Sequence, residues 1–96
     1  MTKLTESVLH YQRTGTGYDS LRRKVEQWVY YFPTTRPGFD EEDCADFFLF
    51  VHRKIPPLLT RYTHSDRSFE AYLAKTLRWQ LRSYARTRRR NRRMRQ

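Results

Sequence analysis

Aromatic and cationic side chains alternate along one stretch near the C-terminal end of this chain. Tyr72, Lys75, Trp79, Arg82 and Arg86 follow one another three or four residues apart, the spacing that puts side chains on one side of a helix. Cationic groups neutralise phosphates and release condensed counterions, an attraction that fades as salt rises. Tyrosine and tryptophan rings stack on unpaired bases, each stack contributing ~1–3 kcal/mol. The pattern runs into a stretch where seven of the ten residues 86–95 are arginine, among them Arg86, Arg88, Arg89 and Arg90. All are arginine rather than lysine, which suits bidentate contacts with phosphate. Nucleic acid is the expected ligand. The competing expectation is that Tyr72 and Trp79 widen the core, Trp79 being the more packed of the two, while the charges are merely solvated.

Other candidate chemistry is sparse. The acidic quartet Asp40-Glu41-Glu42-Asp43 is better explained by helix capping than by acid–base catalysis, because acids in a first turn favour the positive end of the helix dipole. His10, His52 and His64 have no i, i+4 metal spacing and read as structural or surface residues. Cys44, alone, excludes an internal disulfide and reads as a small core residue rather than a nucleophile. No base is paired with any serine or threonine, and three glycines leave no phosphate-cradling loop. The chain is therefore expected to act by binding, not as an enzyme, with no metal and no cofactor.

Charge divides the chain. Residues 1–77 hold eleven bases against ten acids, whereas residues 78–96 hold nine arginines and no acid. A near-neutral domain thus carries a cationic end at 86–96, and the whole of 1–96 is expected to be one small domain. No run approaches the ~18 apolar residues of a membrane span. The first six residues lack the apolar centre of a secretory signal, so a cytoplasmic location without membrane contact is expected.

The elements that must position these residues are helical. Segment 3–13 carries Leu4, Val8, Leu9 and Tyr11. Asp19 or Ser20 is placed to cap a second helix, in which Leu21, Val25, Trp28, Val29 and Phe32 make one apolar face that Pro33 closes. Asp40 is placed to cap a third, where Cys44, Phe48, Val51 and Ile55 stack on one side with Phe47 flanking. Leu49 and Phe50 point away from that side, and Pro56-Pro57 ends the helix. The fourth begins near Ser68 and turns Phe69, Leu73, Thr76, Leu77, Gln80 and Tyr84 inward, with the aromatic and basic stripe beside them. The predicted fold is an all-α bundle of about four helices, the last two longest.

The order of these features resembles region 2 of bacterial sigma factors, most closely the compact extracytoplasmic-function type. An acid-rich D-x-E-D opening (here 40–43), a helix with Phe48-Leu49-Phe50, a polar loop, then F-x-x-[WY]-L (here Phe69-Glu70-Ala71-Tyr72-Leu73) and an arginine-rich end follow in that order across roughly residues 3–93. The resemblance implies docking on core RNA polymerase through Asp40, Glu42, Asp43 and Asp46. Phe47 stands where the family commonly has glutamate, implying either a more apolar docking surface that would include Phe50 or a different partner. It also implies that Tyr72 and Trp79 help open the minus-ten element of promoter DNA and hold its single-stranded non-template strand. The loop about Arg61–Arg67 would trap a flipped base, and Lys75, Arg78, Arg82, Arg86, Arg88, Arg89 and Arg90 would follow the backbone. An anti-sigma factor is a further implied partner. The family's second domain, region 4, has no counterpart in these 96 residues. Two alternatives stand beside this one: a stand-alone nucleic-acid-binding regulator, and a sigma mimic that does not engage polymerase and uses Leu49 and Phe50 as anchors.

Overall fold

The computed structural model describes residues 2–65 and 67–94, with side chains to Arg90. It is all-α. Helices α1 (Lys3–Thr14), α2 (Tyr18–Tyr31), α3 (Glu41–Val51), α4 (Ile55–Arg61) and α5 (Phe69–Met94) are joined in part by two 3-10 turns, Phe32–Thr35 and His52–Lys54. There is no strand among the described residues, and no helix there is long and apolar enough to cross a membrane.

Local chemistry explains the boundaries. Thr2 caps α1 by accepting from the Thr5 N–H, and Gly15 ends it at φ 73°, donating its N–H to the Tyr11 carbonyl. That left-handed conformation strains any residue with a Cβ. The cap expected at Asp19 or Ser20 is not used: α2 starts at Tyr18 behind Gly17, which provides no side-chain bond. Asp40 does cap α3, accepting from the N–H groups of Glu42 and Asp43, while Asp43 reaches back to the Asp40 N–H. The Asp40, Glu42 and Asp43 N–H groups at the start of that helix thus gain side-chain partners.

The structure departs from the four-segment expectation in three places. First, Pro56-Pro57 does more than end a helix. Proline has no N–H to donate to the carbonyl four residues back, so the α3 ladder cannot continue through 56 and 57. At the first turn of a new helix that donor is not needed, and the same pair opens the seven-residue α4. Second, α3 spans only 11 residues, fewer than α1 or α2, and α5 alone is long at 26. Third, Phe47 is fully buried at the centre of the α3 face while Phe48 is half-buried at its margin.

The core runs through all five helices, with Val8, Val25, Val29, Phe47, Val51, Leu59, Phe69, Leu73 and Leu77 removed from solvent. Its largest side chain from α3, Phe47, packs against Phe32 at 6.4 Å and edge-on to Tyr84 at 5.7 Å between ring centroids. Polar groups lost from water are repaired across elements. Gln12 donates to the carbonyls of Leu59 and Tyr62 at the end of α4, at 2.9 and 2.8 Å. Thr5, buried in α1, accepts from the Phe69 N–H at 3.0 Å and donates to Glu70 at 3.1 Å, so one helix supplies the cap of another. Replacing Thr5 by Val keeps the shape and leaves the buried Phe69 N–H without an acceptor, a loss of about 1–3 kcal/mol. Thr5→Val is expected to lower the urea midpoint with an unchanged slope, while Thr14→Val, on the surface of the same helix, shifts it little.

Candidate nucleic-acid interface

Helix α5 separates its two duties by angle. At about 100° per residue, Phe69, Leu73, Leu77, Leu81 and Tyr84 fall within about 120° of arc, and all are buried. Tyr72, Lys75, Arg78, Trp79, Arg82, Arg86, Arg89 and Arg90 fall within the opposite arc of about 120°. All of these but Tyr72 are exposed. The outward arc carries no acid. Like charges three or four residues apart disfavour the helix by a few tenths of a kcal/mol per pair, so the burial of the opposite side must hold α5 together.

The competing expectation ranks Trp79 as the more packed of the two aromatics, and the structure reverses that order. Trp79 is 61% exposed, with the Arg82 guanidinium over its ring at 5.7 Å. Tyr72 is the packed one, half-buried against Tyr62 and Phe69 at 5.5 and 6.1 Å.

Arg88 lies at the edge of the buried arc and has a different environment from its neighbours. Its Nη1 donates to both carboxylate oxygens of Asp43 at 2.9 Å, and its guanidinium lies over the Phe39 ring at 4.8 Å. The Tyr84 hydroxyl donates to the same carboxylate at 2.8 Å. Asp43 itself is 6% exposed. Burial would raise its pKa. The Asp40 backbone N–H, the Arg88 guanidinium and the Tyr84 hydroxyl all favour the charged form, and together they hold it below the ordinary carboxylate range. Burial, and then the bond to Asp43, pushes the Tyr84 phenol far up. Arg88 and Asp43, expected on a DNA face and a docking face, are thus bound to each other, Asp43 buried and Arg88 partly so. Phe47 is likewise inside and not on a surface.

The remaining expected residues divide between sites. Arg78, Trp79, Arg82, Arg86 and Arg89 line one groove of about 680 Å³, and Leu81 and Ala85 contribute to its wall. Its other side comes from the turn between α2 and α3, through Arg36 and Phe39. Neither of these is visible as a site in the sequence, where Pro33 through Gly38 reads as punctuation. Lys75 and Arg90 are exposed on the same arc outside this groove. Arg61 and Arg67 are exposed away from it, at the end of α4 and in the following loop, where the Arg67 carbonyl accepts from the Tyr62 hydroxyl at 2.6 Å. On α3, Asp40, Glu42 and Asp46 are exposed. Phe50 is 37% exposed with its ring edge-on to Tyr84, and Leu49 is 68% exposed.

No cluster of three or more histidine, cysteine or acidic side chains that could hold a metal occurs among the described residues. Cys44 is buried, and burial followed by the carboxylates of Glu41, Asp43 and Asp40 raises its thiol pKa, the wrong direction for a nucleophile. Comparison with protein-family models, curated proteins and solved structures finds no match to this chain.

The depressed pKa of Asp43 sets a pH dependence. A carboxyl more acidic in the fold than in the open chain stabilises the fold above its unfolded value, about 3.9. That contribution is lost as pH falls through the folded value. The raised Tyr84 pKa acts at the other end, since the fold keeps the phenol protonated and loses stability above the unfolded value of about 10. Asp43→Asn leaves Arg88 without its counter-charge and is expected to cost about 3 kcal/mol at neutral pH. Urea unfolding across pH checks both: the acid limb of the wild-type profile should flatten in Asp43→Asn, and the alkaline limb should flatten in Tyr84→Phe.

Proposed function

We propose that the protein binds single-stranded DNA along the outward arc of α5 and works as a sigma region 2-like promoter module. Trp79 stacks on an unpaired base, and Arg78, Arg82, Arg86 and Arg89 follow the phosphates. The exposure of Trp79 among these arginines, on an arc free of acids, is the observation that carries this reading. A strand separated from its partner offers base faces that duplex DNA keeps stacked, so the contact favours opening. The order of motifs from Asp40 to the arginine-rich end supports the promoter assignment. The polymerase surface under this reading is Asp40, Glu42 and Asp46 with Leu49 and Phe50 beside them, in a cytoplasmic protein. An anti-sigma factor would compete for that same face.

The burial of Asp43 and Phe47 favours a second reading, a nucleic-acid-binding regulator without a polymerase partner. Retention of core RNA polymerase by the immobilised protein, lost on Asp46→Arg, supports the promoter module. Retention of nothing by either form, together with intact DNA binding, supports the regulator.

Trp79→Ala should weaken binding to a fluorescent single strand about tenfold, the loss of one stacked base, and leave duplex binding nearly unchanged. Equal losses on both forms would remove stacking from the account. Lys75→Ala and Arg90→Ala should weaken both forms and make the salt dependence shallower by about 0.7 per residue on the single strand and about 0.9 on the duplex. Fluorescence anisotropy over a salt series measures both effects.

A further inference from the structure

The turn between α2 and α3 contributes one arginine and one ring to a groove whose opposite wall is α5. Both are held in place. The Arg36 N–H donates to the Pro33 carbonyl at 3.0 Å, and its guanidinium lies over the Phe32 ring at 5.4 Å. The Arg36 Nε is closed off from solvent without a hydrogen-bond partner. Phe39 is set by Arg88 beneath it and by Tyr84, whose ring centroid is 6.4 Å away. Among the described residues, none of the groove's five arginines forms a salt bridge.

We infer that this groove seats one unpaired nucleotide, its base on the rings of Phe39 and Trp79 and its phosphates on Arg36 and the α5 arginines. Three properties select that chemistry. Five unneutralised guanidiniums ask for more than one anionic group, and arginine meets phosphate with paired donors. Two aromatic rings in the same groove ask for a flat apolar surface, which a simple anion lacks. The volume of about 680 Å³ lies in the range of small-molecule sites, ~300–1,000 Å³. Arg36 and Phe39 thereby become binding residues, and Arg88 a positioning residue that acts through Phe39.

This inference rests on the strand-binding reading and extends it to a part of the chain outside α5. The same chemistry can come from a DNA strand or from a free nucleoside polyphosphate. The test uses the full chain with three probes: a fluorescent single strand, a wholly abasic strand of the same length, and ATP as competitor. Arg36→Gln should weaken both strands about fivefold and make the salt dependence shallower by about 0.7, the slope of one single-strand phosphate contact. Phe39→Leu should weaken the normal strand and leave the abasic strand unchanged. Thermal melting confirms that each variant is folded. Should Phe39→Leu fail to fold, Arg36→Gln with the abasic comparison decides alone.

If the wild type binds the strand, Trp79→Ala weakens it, and Arg36→Gln matches wild type on every probe, the groove is overturned while strand binding stands. If the strand does not bind but ATP does, and Arg36→Gln abolishes that, the groove stands with a free nucleotide and strand binding falls. Binding of neither probe overturns both.

Discussion

A carboxylate taken out of water is tolerated only when its lone pairs and its charge are both answered. Asp43 meets that condition with three donors from two distant parts of the chain. The Asp40 N–H closes the first turn of its own helix, and Tyr84 and Arg88 reach it from 41 and 45 residues further on. Much of the molecule is arranged around this constraint. It fixes the start of α3 against the later turns of α5 and orients the Tyr84 ring beside Phe47 and Phe50. It also holds the guanidinium that supports Phe39. Without it, α5 beyond Leu81 would have few apolar contacts to oppose the mutual repulsion of its arginines.

That repulsion gives the arginines two separate roles. Arg88 lies on the buried side and has its counter-charge within the protein. Arg78, Arg82, Arg86 and Arg89 lie roughly 80–160° further round the helix, where no described residue forms a salt bridge with them. Packing holds these charges together, and the protein leaves them unneutralised. Such a surface attracts polyanions over roughly a Debye length, about 8 Å at physiological ionic strength. Under the strand-binding reading, the ring of Trp79 among them discriminates between anions that carry an unstacked base and those that do not.

Helical periodicity carried most of the architecture into the sequence. Most of the inward set of α5 (Phe69, Leu73, Leu77 and Tyr84, though Thr76 and Gln80 stay partly exposed and the buried Leu81 was missed), the cap at Asp40 and the break at Pro56-Pro57 were legible because each depends on residues within a turn or two of one another. The α4 helix was not, because seven residues are too few to display a period and proline reads as a stop before it reads as a start. Nor could local pattern rank Phe47 above Phe48, or Tyr72 above Trp79. Positions 47 and 48 differ by about 100° on a helix and positions 72 and 79 by only about 20°, so in both pairs only the partner elements decide which ring is packed. The Asp43–Arg88 pair lay further out of reach. An acid in a first turn and an arginine in an arginine-rich run each have a sufficient local explanation, and nothing in the sequence joins them. Arg36 and Phe39 were hidden for the same reason: the turn that carries them meets α5 only after the bundle has closed.

The burial of Asp43 changes what the acidic start of α3 can do. Under the promoter reading its exposed acids, Asp40 and Glu42, meet a partner protein, while Arg36 and Phe39 meet the nucleic acid. These two surfaces are not independent. Asp40 is adjacent to Phe39 in the chain and shares a capping box with Asp43, and Asp43 holds the guanidinium on which Phe39 rests. Displacement of the α3 N-terminus by more than a few tenths of an ångström would lengthen hydrogen bonds now at 2.8–3.0 Å. It would also leave a buried charge exposed to an apolar core. The arrangement therefore resists small deformation and holds the acidic tip and the groove wall in a fixed relative position. Ligands that meet this corner from different sides are thereby set in register with each other, which by itself requires no energetic coupling between them.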